Sequence, residues 1–100
     1  MEEELSVKIE RDIENMFRTL EALDNQMKRY TDDPKGNPRP NYERYNNWVL
    51  DYDKVHQEGW TKELRWKYER VLEKRACYED LWVRWCEEAG VYYHKAGRKI

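Results

Sequence analysis

The chain has 100 residues, which is at most one small domain. It is 40% charged and 39% hydrophobic with a net charge of −2, its sequence pI is near 5.8 and its mean hydropathy is −1.26. This balance argues against a chain that coats nucleic acid with its whole surface, although local basic patches stay open, and no run reaches the ~18 apolar residues of a membrane span. The five Trp, eight Tyr and one Phe argue against disorder, whose compositions are poor in aromatics, and fit long amphipathic helices with charged outer faces and aromatic inner stripes.

Met1 is followed by Glu2, Glu3 and Glu4, the reverse of a signal-peptide start. Cys77 and Cys86 lie nine apart and form no metal-spaced pair, so they read as reduced core thiols of an intracellular protein.

From Glu3 to Tyr30 the apolar residues recur mostly at steps of three and four (Ile9, Ile13, Met16, Phe17, Leu20, Leu23, Met27), with neither Gly nor Pro between them. That period predicts one long amphipathic helix over about 3–30, so residues 1–30 form the first unit. Glu2 to Glu4 suit the positive end of its dipole, and Lys28 and Arg29 the negative end. Residues 31–41 hold all three prolines of the chain and read as a loop, because each Pro biases the residue before it away from helix. This loop is either a plain linker or a docking element.

Helical spacing resumes through Tyr45, Trp48, Val49, Tyr52 and Val55, with Asn41 as N-cap and Gly59 as the stop. Thr61 is placed to cap a third helix that runs to about Ala76 on an inner face of Leu64, Tyr68, Val71 and Leu72, with Trp66 off that stripe. A fourth helix is predicted over about 79–88, carrying Leu81, Trp82, Trp85 and Cys86 and ended by Gly90. A fifth begins near Tyr92. The expected fold is therefore all-α: a long N-terminal helix followed by antiparallel helix pairs. Trp48 with Tyr52, and Tyr68 with Leu72, are spaced to interlock across one such pair.

Trp48 and Trp82 are 34 residues apart, a period of helix–turn–helix repeat units. The stretches Tyr68-Glu69-Arg70-Val71-Leu72 and Ala76-Cys77-Tyr78-Glu79-Asp80-Leu81-Trp82, followed by Trp85, resemble the half-a-tetratricopeptide (HAT) repeat. Ala96-Gly97-Arg98-Lys99-Ile100 matches that family's Ala-Arg-x-Ile with one residue inserted, and Asn47-Trp48 resembles the preceding first helix. The resemblance spans about 42–100, roughly one and a half repeats; Asp51 stands where the family usually has an aromatic. Within the family, the stretch from Ala76 to Trp82 is most similar to the pre-mRNA-processing factor 39 and 42 type of scaffold, which belongs to the U1 small nuclear ribonucleoprotein.

The resemblance implies a TPR-like α-solenoid with a repeat core of Trp48, Tyr52, Leu64, Tyr68, Leu72, Tyr78, Trp82 and Trp85. It also implies that Glu69 and Arg70 link neighbouring helices. Its functional implication is a non-catalytic protein–protein scaffold of mRNA splicing or another RNA-processing particle, in the nucleus, with ribonucleoprotein components as partners. A solenoid this short gains stability by stacking on neighbours, so the chain is expected to dimerise, to dock on a larger partner, or to be a piece of a longer scaffold.

Residues that could carry chemistry have plainer readings. His56 and His94 lack partners at ligand spacing and read as surface histidines. Cys77 has no base placed by sequence. The acidic clusters at 2–4, 32–33 and 87–88 lie at helix ends or in the loop, where solvated charge is usual. No phosphate loop, nucleophile elbow or zinc-protease motif occurs. The expectation is no enzyme, no cofactor and no metal. Arg65-Trp66-Lys67, Arg84-Trp85 and Tyr92-Tyr93 could stack single-stranded RNA or be solenoid core with charged flanks. Trp60, Trp66, Tyr93, Arg65 and Arg84 are the candidate partner-binding residues, since Trp, Tyr and Arg dominate interface hot spots. An alternative function is a small helical adaptor or inhibitor, such as a viral one, that meets one protein through an aromatic face. A further alternative is a weak single-stranded RNA binder.

Overall fold

A computed structural model of the chain describes residues 4–95. Among them are three helices: α1 (Leu5–Asp32), α2 (Tyr42–Val55) and α3 (Lys62–Ala89). The all-α expectation holds for the described residues. α1 and α3 are 28 residues each, about 42 Å long at ~1.5 Å per residue, and α2 is half that.

The two long helices run parallel. Ser6 Oγ at the start of α1 donates to the Gly59 carbonyl just before α3 (3.0 Å), and Trp82 Nε1 late in α3 donates to Asp24 Oδ1 late in α1 (3.0 Å). α2 runs opposite to both. Its Tyr52 hydroxyl reaches Asp12 (2.5 Å) and its Tyr45 hydroxyl the Met16 carbonyl (2.9 Å), while Tyr68 of α3 donates to the Val49 carbonyl (2.6 Å). The arrangement is an up–down–up bundle in which α2 lies along one side of the α1–α3 seam.

Local chemistry sets the helix ends. Asn41 accepts from the Arg44 amide and Thr61 from the Leu64 amide, satisfying first-turn donors of α2 and α3. Asn37 Nδ2 donates to the Arg29 carbonyl at the end of α1 (2.9 Å). Gly90 has φ +74°, and the amides of Gly90 and Val91 return to Glu87 and Cys86, the left-handed stop that glycine favours. Gly59 has φ +88°, and a Cβ there would come within 2.5 Å of the Leu5 Cβ, so the α2–α3 turn depends on its having no side chain.

The core joins Ile9, Ile13, Met16, Leu20 and Met27 of α1 to Tyr45, Val49 and Tyr52 of α2 and to Leu64, Tyr68, Val71 and Trp82 of α3. Each such side chain, fully buried, contributes about 1.5–3 kcal/mol relative to exposure.

The third and fourth predicted helices are one continuous helix. The buried residues of α3 are Leu64, Tyr68, Val71, Arg75, Glu79, Trp82 and Cys86, an unbroken three-and-four rhythm. The apolar pattern lapses at Arg75 and Glu79, and the lapse reads as a junction. In the structure both are buried, at 8% and 3% exposure, and bonded to each other (Arg75 Nη1 to Glu79 Oε2, 3.3 Å). Arg75 also donates to Asn46 of α2 (3.2 Å), and the Tyr93 hydroxyl donates to Glu79 (3.0 Å). The stripe therefore continues through a buried polar pair.

The predicted fifth helix is not formed over Val91–Lys95, which are non-helical. These residues fold back so that Tyr93 stacks on Tyr42 (ring centroids 4.4 Å apart) and the His94 amide donates to the Tyr42 hydroxyl (3.0 Å). Residues 96–100, with the proposed Ala96–Ile100 motif, and Glu2 and Glu3 lie outside the described residues.

Candidate functional site

Among the described residues, no group of three or more His, Cys, Asp or Glu could hold a metal ion. His56 packs against Tyr52 at 4.4 Å, and His94 meets Tyr92 edge-on. Both cysteines are free thiols; Cys86 is buried, which pushes its thiol pKa up, and Cys77 is exposed. No described helix is long and apolar enough to cross a membrane.

The exposed aromatic surface is where the candidates gather. Trp66 is 59% exposed on the side of α3 away from α2. It forms a ridge between two shallow recesses. One is lined by Trp60, Thr61, Lys62, Arg65, Trp66 and Glu69. The other, about 330 Å³, lies in the α1–α3 groove, lined by Glu10, Ile13, Glu14 and Phe17 of α1 and by Trp66, Lys67 and Arg70 of α3.

Cations hold the aromatic walls. Arg65 lies 4.3 Å over the Trp60 ring and Arg70 5.7 Å over Trp66, contacts worth about 0.5–1 kcal/mol each at exposed sites. Trp60 is fixed further by its Nε1, which donates to the His56 carbonyl at the end of α2 (2.6 Å). At the upper end of the groove, Lys74 bonds Glu21 across the helices (2.8 Å), the Tyr78 hydroxyl donates to the same carboxylate (2.8 Å), and the ammonium lies over Phe17. The Lys74 ammonium and the Tyr78 hydroxyl hold the Glu21 carboxyl below its usual range, and Glu21 in turn raises the Lys74 pKa.

Of the five partner-binding candidates, the structure brings three together: Trp60, Arg65 and Trp66. Tyr93 is not with them, because its ring is buried against Tyr42 and its hydroxyl is bonded to Glu79. Burial, with Glu79 beside it, pushes the Tyr93 phenol pKa well up. Arg84 is exposed but lies 18 residues beyond Trp66 on the same helix, about 27 Å along the axis at ~1.5 Å per residue.

Of the expected repeat core, Tyr52, Leu64, Tyr68 and Trp82 are buried, while Leu72, Tyr78 and Trp85 are partly buried against the core. Trp48 is 37% exposed. The physical reason is that α2 meets α1 and α3 through Tyr45, Val49 and Tyr52, which leaves Trp48 on the outer edge of that stripe. There it walls a recess of about 430 Å³ with Thr19, Leu23, Asn41, Arg44 and Tyr45. Glu69 and Arg70 are exposed, and Arg70 pairs with Glu73 on its own helix (3.8 Å) rather than linking helices.

Phe17, Glu10, Glu14 and Lys67 line the Trp66 groove without having been singled out from sequence. Lys67 stands inside the Arg65-Trp66-Lys67 stretch, but which α1 residues face it depends on the parallel packing of α1 and α3. No protein-family model matches the chain, and no curated protein or solved structure matches it.

Proposed function

We propose that the chain is a non-catalytic protein–protein interaction module that holds a partner protein against its Trp60–Trp66 face. One observation carries the reading: Trp66, the most exposed of the tryptophans, sits between two recesses and is flanked by arginines placed over the aromatic rings. Trp and Arg beside pockets are the composition of interface hot spots.

The charges favour protein over RNA as the occupant. Arg65 pairs with Asp53, Lys67 with Glu63, Arg70 with Glu73 and Lys74 with Glu21. A backbone-tracking RNA groove needs cations offered to phosphates, whereas each of these is accompanied by an acid.

The resemblance to HAT repeats, and within them to splicing scaffolds, is what suggests a ribonucleoprotein setting and a nuclear location. It rests on residues 42–100; the solenoid arrangement it implies needs a turn between Ala76 and Trp82, where α3 is continuous. A second reading, a small adaptor that engages one partner, is favoured by that continuity and by the way the Tyr93 tail closes the bundle against Tyr42.

Affinity purification with mass spectrometry tests the reading, comparing wild type with Trp66→Ala before and after nuclease treatment. Proteins that survive nuclease and disappear with Trp66→Ala are expected. An unchanged set of captured proteins, or one abolished by nuclease, would overturn it.

A further inference from the structure

The α1–α3 seam has two faces. α2 and the Tyr93 tail cover one; the other carries the Trp66 groove. On this second face α3 shows an unbroken stripe at three- and four-residue steps, from Lys67 through Arg70, Lys74, Tyr78, Leu81 and Trp85 to Glu88. α1 shows a facing stripe through Glu10, Glu14, Phe17 and Glu21, with Lys28 seven residues further on. Apolar surface is offered along its length by Trp66 and Leu81, both exposed, and by Phe17 and Trp85, both half-buried.

The charges of this face are divided by helix. At the lower end of the groove the α1 rim is acidic (Glu10, Glu14) and the α3 rim basic (Lys67, Arg70). The ion pairs of Lys67 and Arg70 run along α3, at 3.5 and 3.8 Å and largely exposed, so they are weak and exchangeable. At the upper end, in the recess around Trp85, the division lapses: α1 brings Lys28 and Asp32 together there, opposite Glu88 of α3.

We infer that this face mates with a second copy of the chain, in a parallel dimer whose two-fold axis runs along the groove. The inference rests on the reading that the Trp66 face binds protein, and it names the partner for the groove side of that face. The axis lays each α1 over the second copy's α3 at the same height, because α1 and α3 are parallel. Glu10 and Glu14 then meet the second copy's Lys67 and Arg70. Each contact occurs twice, as an isologous interface requires. An antiparallel pairing of α1 on α1 would set Glu10 and Glu14 against Lys28 alone, with half as many cations at that contact.

The area suffices. Two helices of ~10 Å diameter and ~42 Å length present a face of about 840 Å², against about 800 Å² per partner in a standard specific interface. The Trp60–Arg65 recess lies on the outer side of Trp66 and stays open for a different protein.

The test is the mass of the purified full chain by sedimentation and native mass spectrometry at micromolar concentration. Wild type is expected as a dimer that weakens as salt is raised. Glu10→Lys/Glu14→Lys makes both rims basic and Lys67→Glu/Arg70→Glu makes both acidic, so each variant alone should dissociate at least ~10-fold more readily. Mixed in equal amounts, the two should form a heterodimer, since each reversed rim now faces its opposite. A monomeric wild type overturns the inference whatever the variants do, and so does a mixture of folded variants that remains monomeric. Either result leaves Trp66-dependent capture of other proteins untouched. A dimer with no such capture overturns the capture of other proteins and leaves a second copy as the protein held on this face.

Discussion

Exchanging Trp82 for alanine should cost the bundle about 3–5 kcal/mol. The indole is 0% exposed and lies 6.2 Å from the Tyr78 ring and 6.5 Å from Tyr93. Its Nε1 donates to Asp24 at 3.0 Å. Two losses combine. A cavity opens between α1, α3 and the tail, and the Asp24 carboxylate keeps Lys28, at 3.1 Å, but loses the indole donor. A hydrogen bond to a charged group is worth ~1.5–3 kcal/mol, so Trp82→Phe, which keeps most of the volume, should cost about that much. Trp48→Ala is the control. That ring is 37% exposed and meets Tyr45 and Tyr52 only edge-on, at 6.1 and 6.4 Å, so its loss should cost about 1 kcal/mol. Domains of this size have ~5–15 kcal/mol of stability in total, and the contrast is therefore easily read. Urea unfolding followed by far-ultraviolet circular dichroism gives each midpoint, compared at a common slope. Equal costs for Trp48→Ala and Trp82→Ala would refute the burial argument and restore the equivalence that their 34-residue spacing suggests.

Ala76→Pro should destabilise by ~3 kcal/mol or more, because it removes an internal α3 hydrogen bond and crowds the carbonyl four residues back; Ala76 is exposed, so packing does not confuse the result. A proline accepted there without loss in the same urea assay would mean that the chain turns at that point, as a repeat boundary would. Stability should also fall in acid. Burial alone would raise the Asp12 carboxyl, but the bonds from Tyr52 and Lys8 outweigh it and hold its pKa below the ordinary value. Its contribution is then complete above about pH 4 and is lost as pH falls through the lower folded value. Tyr52 behaves oppositely: burial, and then Asp12, push its phenol well up, so its contribution is complete below about pH 10 and is lost as pH rises beyond that. Asp12→Asn should flatten the acid limb of urea midpoint against pH, and an unchanged limb would show that Asp12 does not carry it.

The fold was legible in the sequence wherever burial and apolarity coincide. α1 was, because Ile9, Ile13, Met16, Leu20 and Met27 are both buried and apolar. The caps at Asn41 and Thr61 and the stop at Gly90 were legible because each rests on one side chain or one backbone angle. The continuity of α3 was not, since Arg75 and Glu79 occupy core positions that no apolar pattern shows. Nor was the fate of Tyr93, whose burial follows from contacts with Tyr42 and Glu79, 51 and 14 residues away in the chain. At the candidate site, Trp66 was legible as a residue off the α3 stripe, and Arg65 as its neighbour. The α1 half of the groove was not, because the register between α1 and α3 arises from long-range pairs such as Asp24 with Trp82.

Unequal helix lengths tie these features together. α2 is half as long as its neighbours, so beyond its start at Tyr42 it leaves the upper part of the covered seam open. The tail fills part of that gap with Tyr93, and the buried set of Asn46, Arg75 and Glu79 fixes where the phenol sits. Buried polar groups of this kind add little net stability but penalise other registers, since a slipped tail would strand Glu79 without its phenol. The side chains available to close the seam are thereby spent on one face. The opposite face is clasped by Glu21, Lys74 and Tyr78, and Trp66 and Leu81 remain at its surface. The exposure of Trp66 and Leu81 on one side is thus a direct result of how the other side is closed, and it is around them that a second protein surface would bury the most.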